Sequence, residues 1–112
     1  MTLRQKQSLF ASLIPGLINQ AIKLGFEITL GEAYRSPEEA ARLAKLGKGI
    51  KNSNHTIKLA IDLNLFKNGK YLSSTKSHKE LGEWWESQST LCAWGGRFGD
   101  GNHYSLEHSG RK

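Results

Sequence analysis

Four residues in this chain have types and spacings suited to work on a metal ion and a proton: His55, Asp62, Asp100 and His103. Asp62 is the anomaly that draws in the others. In the run from Leu59 to Leu65, Leu59, Ile61, Leu63 and Leu65 alternate with Ala60, Asp62 and Asn64. That period of two is a strand with one apolar face. A carboxylate on the other face is either solvated or functional, and its small or polar neighbours Ala60 and Asn64 permit both. His55 lies upstream, where a loop enters the strand. A neutral imidazole and a carboxylate are ordinary zinc ligands, although a lone histidine is more often structural or exposed. The third component is Asp100-Gly101-Asn102-His103. Three protein ligands with one open position mark a catalytic zinc site, and a free carboxylate beside it can act as general base. The competing reading is that Asp100 and Asn102 only satisfy backbone groups of a turn.

The elements around these residues follow from the apolar pattern. Leu9, Phe10, Leu13, Ile14, Leu17, Ile18, Ala21 and Ile22 have helical spacing, so a helix over about residues 3–24 is expected. Pro15-Gly16 should kink or divide it, and Gly25 should stop it. Phe26, Ile28 and Leu30 alternate with polar residues and predict a strand. Ser36-Pro37-Glu38-Glu39 opens a second helix, with Ser36 as cap, Pro37 in the first helical position and Glu39 completing a capping box. Asn68-Gly69 is a hairpin signal that returns the chain through Tyr71 and Leu72. Ser77 to Glu80 looks like a second capping box, leading a helix that carries Leu81, Trp84 and Trp85. Trp94-Gly95-Gly96 enters a turn, and His103 to Glu107 forms a last short strand with Tyr104 and Leu106 turned to the core. The expected fold class is α+β: a small single domain over residues 1–112, with a mostly antiparallel sheet flanked by helices.

Bulk composition narrows the setting. The chain has 112 residues, 38% hydrophobic and 23% charged, which suits one core and not two. The net charge of +6 favours anionic partners such as nucleic acid, wall polymer or lipid head groups, without choosing among them. Cys92 is the only cysteine, so no internal disulfide forms. Its run Leu91-Cys92-Ala93-Trp94 reads as buried, with the thiol as a small apolar side chain. No apolar run is long enough for a membrane span. The N-terminus lacks an uninterrupted apolar region and a cleavage site, so synthesis in the cytoplasm without a signal peptide is expected.

Two stretches together carry a resemblance. Ser53 and His55 are followed by Leu59-Ala60-x-Asp62, and later come Trp94-Gly95-Gly96-x-Phe98-x-Asp100-x-x-His103-Tyr104. In order and spacing this is similar to the zinc peptidases of the D-alanyl-D-alanine carboxypeptidase and L-alanyl-D-glutamate endopeptidase family, which share the hedgehog fold. The short forms resemble phage endolysins. Glu32-Ala33-Tyr34-Arg35-Ser36 also looks like that family's segment with a substrate-facing arginine. The resemblance covers about residues 26–108. It implies Zn2+ held by His55, Asp62 and His103, with Asp100 as catalytic base. It further implies Arg35 at the substrate and in catalysis, with Ser53 and Tyr104 also binding substrate. The implied substrate is a peptidoglycan stem peptide, cut by a monomer that reaches the wall after release. An L-alanyl-D-glutamate-type endopeptidase is the first expectation and a D-Ala-D-Ala carboxypeptidase the alternative. Lys58 departs from the pattern, because the family often has glycine there.

The remaining polar residues read as supporting or solvated. His78 falls in the first turn of a helix and is expected to be exposed. Glu107 is either a partner for a ligand histidine or a surface acid. One of Trp84 and Trp85 is expected in the core and the other at the cleft or surface. Lys45, Lys48 and Lys51 are explained by solvation, or they attract acidic peptide. A basic nucleic-acid-binding module is the rival from another class. It has the charge and three tryptophans in its favour, but no recognised binding motif or basic helix with interleaved aromatics.

Overall fold

The strand that carries Asp62 organises the molecule. The computed structural model describes residues 1–112. The elements in chain order are α1 (Leu3–Lys23), β1 (Glu27–Leu30), α2 (Pro37–Lys45), β2 (Ala60–Lys67), β3 (Lys70–Leu72), α3 (Lys79–Glu86), β4 (Cys92–Trp94) and β5 (His103–Leu106). Short 3-10 turns lie at Asn54–Ile57, Thr75–His78 and Gly95–Phe98. The sheet runs β1-β2-β5-β4, with β3 also on β2, and every pairing is antiparallel. β1 takes one edge of β2, while β3 and β5 share the other. The architecture is the expected α+β arrangement.

The core forms where α1 and α3 cover one face of this sheet. Leu59, Leu63 and Leu65 meet Leu17 and Ala21 of α1 and Leu81 and Trp85 of α3 in one buried cluster. The alternation in β2 therefore points its leucines inward, as expected. Tyr104 and Leu106 join that cluster from β5. Trp85 is the buried member of its pair, and its indole N–H donates to the Ala93 and Ser105 carbonyls, both at 3.1 Å. Trp84 is half-buried and lies against Gly16 of α1, away from any cleft.

Three local expectations need correction. α1 is one helix through Pro15. Ala11 and Pro15 both lie on its exposed side, so water can meet the carbonyl that proline leaves without a donor. At α2, Ser36 caps as expected by accepting from the Glu39 N–H at 3.0 Å, but the Glu39 carboxylate is taken by Arg42. Ser77 caps no helix: Ser74 caps the preceding 3-10 turn, and α3 has His78 at its N-cap without a side-chain cap. Cys92–Trp94 is buried, as expected, and is in addition an edge strand. Burial there raises the Cys92 thiol to about 11, which fits an inert packing role.

Candidate metal centre

Asp62 is fixed from both sides. Its N–H donates to the Glu32 carbonyl and its carbonyl accepts from the Gly31 N–H, both at 2.8 Å. With its backbone bonded towards the β1 side, Asp62 faces His103 of β5 as a non-hydrogen-bonded cross-strand pair. Side chains approach most closely in such pairs. Gly31 is needed for this fit, because a Cβ there would stand 2.9 Å from Asp62 Cβ.

His55 reaches the same point from the 3-10 turn Asn54–Ile57. The Ser53 hydroxyl caps that turn by accepting from the His55 N–H at 3.2 Å. His55 Nδ1 lies 2.8 Å from the Ala33 carbonyl. A carbonyl only accepts, so Nδ1 carries the proton and Nε2 is turned towards Asp62 Oδ1, 3.1 Å away. The left-handed Lys58, at φ 59 and ψ 37, ends the turn and leads into β2.

His103 arrives through a turn built on glycine. The Asp100 N–H donates to the Gly95 carbonyl at 2.9 Å, and the His103 N–H to the Asp100 carbonyl at 3.1 Å. A Cβ on Gly95 would fall 2.1 Å from the Asp100 carbonyl oxygen and 2.6 Å from His103 Cβ. Trp94 braces the turn by donating its indole N–H to the Gly101 carbonyl at 2.7 Å.

One ligand atom each from His55, Asp62 and His103 lies within 4.8 Å of the other two. Without a cation, the charges of this group are held by one another. Burial opposes charge on Asp62, yet the imidazoles of His103 and His55 outweigh it and hold the carboxyl down at about 2. Burial likewise opposes a proton on His55, and the Asp62 and Ala33 contacts overcome it and raise the imidazole. His103 Nδ1 lies 3.6 Å from Asp62 Oδ1 and 3.8 Å from Asp100 Oδ2, too far for hydrogen bonds. His103 Nε2 is buried with no partner. Two imidazoles and a carboxylate, converging and under-satisfied, suit a divalent ion such as zinc. A cation there would satisfy Nδ1 of His103 and replace the proton between His55 and Asp62.

These three residues line one wall of a cleft of about 310 Å³. Arg35, Ser53 and Asp100 line it too. The Asp100 side chain is 54% exposed, while that of Asp62 is 19% exposed. The structure thus brings together six of the seven residues singled out from the sequence. Tyr104 is the exception: it is 0% exposed in the core, because strand alternation turns it away from the face of His103. Its hydroxyl meets His78 Nδ1 at 2.7 Å, so His78 is buried as well, contrary to expectation. Glu107 contacts no histidine through its carboxylate, which accepts from the Gly110 N–H at 2.7 Å. The sequence named Ala33 and Glu32 only as neighbours of Arg35, and their roles in orienting His55 and Arg35 emerge from the structure. The spacing from Glu32 to Arg35 was the one available signal for the second contact.

The family described as D-alanyl-D-alanine carboxypeptidase matches residues 47–106, more than half of the chain. The chain belongs to that family. Membership makes this D-alanyl-D-alanine carboxypeptidase-family chain a hydrolase of the peptidoglycan-peptidase type. The fold of this family member is also similar to the crystal structure of the Serratia marcescens L-Ala D-Glu endopeptidase ChiX. The TM-score is 0.66, with 18% identity, over 81% of this chain and 75% of that one. At that identity the likeness is one of fold. No curated protein matches the chain. No helix of the structure is long and apolar enough to cross a membrane.

Proposed function

We propose that the chain is a zinc-dependent peptidoglycan endopeptidase that cuts an L-alanyl-D-glutamate-type bond in the stem peptide. One observation carries this reading. Three ligand atoms converge within 4.8 Å on the wall of a cleft, and the Asp100 carboxylate stands 3.8 Å from the His103 imidazole without being one of them. His55, Asp62 and His103 would hold the metal. Bound there, zinc lowers the pKa of a water towards about 7 and polarises the scissile carbonyl.

The chain's own residues supply the rest. Asp100 is the exposed carboxylate of the cleft, placed to take the proton of the attacking water and return it to the leaving amine. Arg35 faces the cleft with Nη1 still free to meet a substrate oxygen, since Nε and Nη2 are held by Glu32. Ser53 accepts from the His55 N–H and keeps its own hydroxyl proton for a substrate carbonyl. The Ala33 carbonyl keeps His55 in the tautomer that presents Nε2. This reading implies a monomeric enzyme of the endolysin type, which acts on the wall after release from the cytoplasm.

The description of the matched family supports a second reading, removal of a terminal D-alanine. One experiment separates the two. Purified peptidoglycan is incubated with the protein, with and without chelator, and the products are weighed by mass spectrometry. New amino termini on D-glutamate are expected, abolished by chelator and restored by zinc. Loss of single D-alanine residues would support the carboxypeptidase reading instead. If no stem fragment is released in a chelator-sensitive way, both readings fail.

A further inference from the structure

Arg35 cannot be the whole of the cleft's affinity for an anion. Its Nε donates to Glu32 Oε1 at 2.7 Å, and its Nη2 pairs with the same oxygen. Its side chain is only 15% exposed. A Cβ on Gly49 would lie 3.3 Å from Nη1, so the loop after α2 passes close beside the guanidinium. Much of the Arg35 charge is thus balanced before any substrate arrives.

Lys48 differs on each count. It lines the same cleft and is exposed. It takes part in none of the protein's ion pairs. Its backbone is nonetheless held, because the Lys48 N–H donates to the Leu43 carbonyl of α2 at 2.9 Å. Ile50, two residues on, is an exposed apolar side chain that also lines the cleft. With Asp62 engaged by His55 and His103 and given to the metal, Asp100 is the exposed acid of the cleft and repels a carboxylate that approaches it. An acidic substrate residue therefore needs a free cation to hold it, and Lys48 is one.

We propose that Lys48 is a specificity-determining residue that pairs with a free carboxylate on the substrate residue beside the scissile amide, with Ile50 covering the aliphatic part of that residue. This rests on the endopeptidase reading above, in which that residue is D-glutamate.

The test uses two peptides, L-alanyl-γ-D-glutamyl-L-lysine with a free α-carboxylate and the same peptide with an α-carboxamide. Lys48→Gln should raise KM for the carboxylate peptide about tenfold, with kcat nearly unchanged. It should leave the carboxamide peptide unaffected, and Lys48→Arg should restore the carboxylate preference. Titration calorimetry of both peptides into chelator-treated protein should show the same contrast without turnover. If Lys48→Gln weakens both peptides equally, or neither, the role given to Lys48 is overturned. A wild-type protein that cleaves neither peptide defeats the endopeptidase reading. The titration still decides Lys48 in that case: a carboxylate preference lost in Lys48→Gln upholds it, and equal binding overturns it.

Discussion

Two serine-capped 3-10 turns each bury a histidine, and the two histidines have opposite chemistry. Ser53 caps the turn of His55 and Ser74 caps the turn of His78, each hydroxyl accepting a backbone N–H at 3.2 Å. His55 is 3% exposed and His78 2%. Around His55 stand a carbonyl at Nδ1 and a carboxylate at Nε2, and the imidazole is raised despite its burial. Around His78 stands the Tyr104 hydroxyl, and burial pushes the imidazole down to about 4. The same backbone device thus yields a polarised ligand in one place and a neutral core side chain in the other. Burial does not separate the two; the acid partner and the open cleft do.

The largest effect expected from this contrast falls on the cleft side. Asp100→Ala should lower kcat by roughly 10²–10⁴-fold, the usual range for loss of a general base. Zinc bound per chain, read by elemental analysis, should stay at the wild-type level. His78→Gln, on the other side, should leave kcat and zinc content nearly unchanged. Full activity in Asp100→Ala would remove the base assignment. Loss of zinc in His78→Gln would instead tie the second turn to the site and erase the distinction.

Next in size is a pH effect on stability. His78 titrates near 4 in the folded protein against an ordinary 6.5, so between those values the unfolded chain binds the proton and the folded chain does not. Stability from this group is complete above about pH 6.5 and falls as pH drops towards 4, by up to about 3 kcal/mol. His55 has the other sign in metal-free protein. Its folded value is raised, so its contribution is complete below 6.5 and is lost as pH rises through the folded value. Urea unfolding of chelator-treated protein between pH 4 and 8 reads both limbs. In His78→Gln the acid limb should flatten while the alkaline limb persists. An acid limb unchanged by that substitution would mean that His78 is not its source.

The place of His55 at the site was legible in the sequence and the burial of His78 was not, for a physical reason. His55 enters a strand whose period-two pattern places Asp62 on a known face, and the glycine-rich turn before His103 limits how the third group can arrive. These are local patterns, and local patterns survive in a sequence. The burial of His78 depends on a hydroxyl from β5, far along the chain, and nothing near position 78 encodes it. Tyr104 shows the limit from the other end. The family resemblance implied substrate contact for it, while strand alternation, already visible, sends it to the core. Pro15 misled because its helix-breaking cost depends on which side of α1 it occupies, and that side is set by packing.

The smallest effect compares the exits of the two turns. Lys58 leaves the first at φ 59, ψ 37, and Lys79 leaves the second at φ −58, ψ −48, already helical. A left-handed backbone costs a side-chain-bearing residue about 1–2 kcal/mol and costs glycine little. That explains why a glycine at position 58 would suit the turn. Lys58 offsets part of the cost by resting its ammonium over the Tyr34 ring, 5.5 Å from the centroid. Glycine would lose that contact and also add unfolded-state entropy. Lys58→Gly should therefore stabilise the protein by only about 0.5 kcal/mol. Lys79→Gly should destabilise it by about 0.5–1 kcal/mol, because glycine gains nothing in a right-handed helical conformation. Urea midpoints of the two variants should move in opposite directions. Movement in the same direction would mean that the left-handed exit carries no strain, and that the bend into β2 is set by the strand and not by the turn.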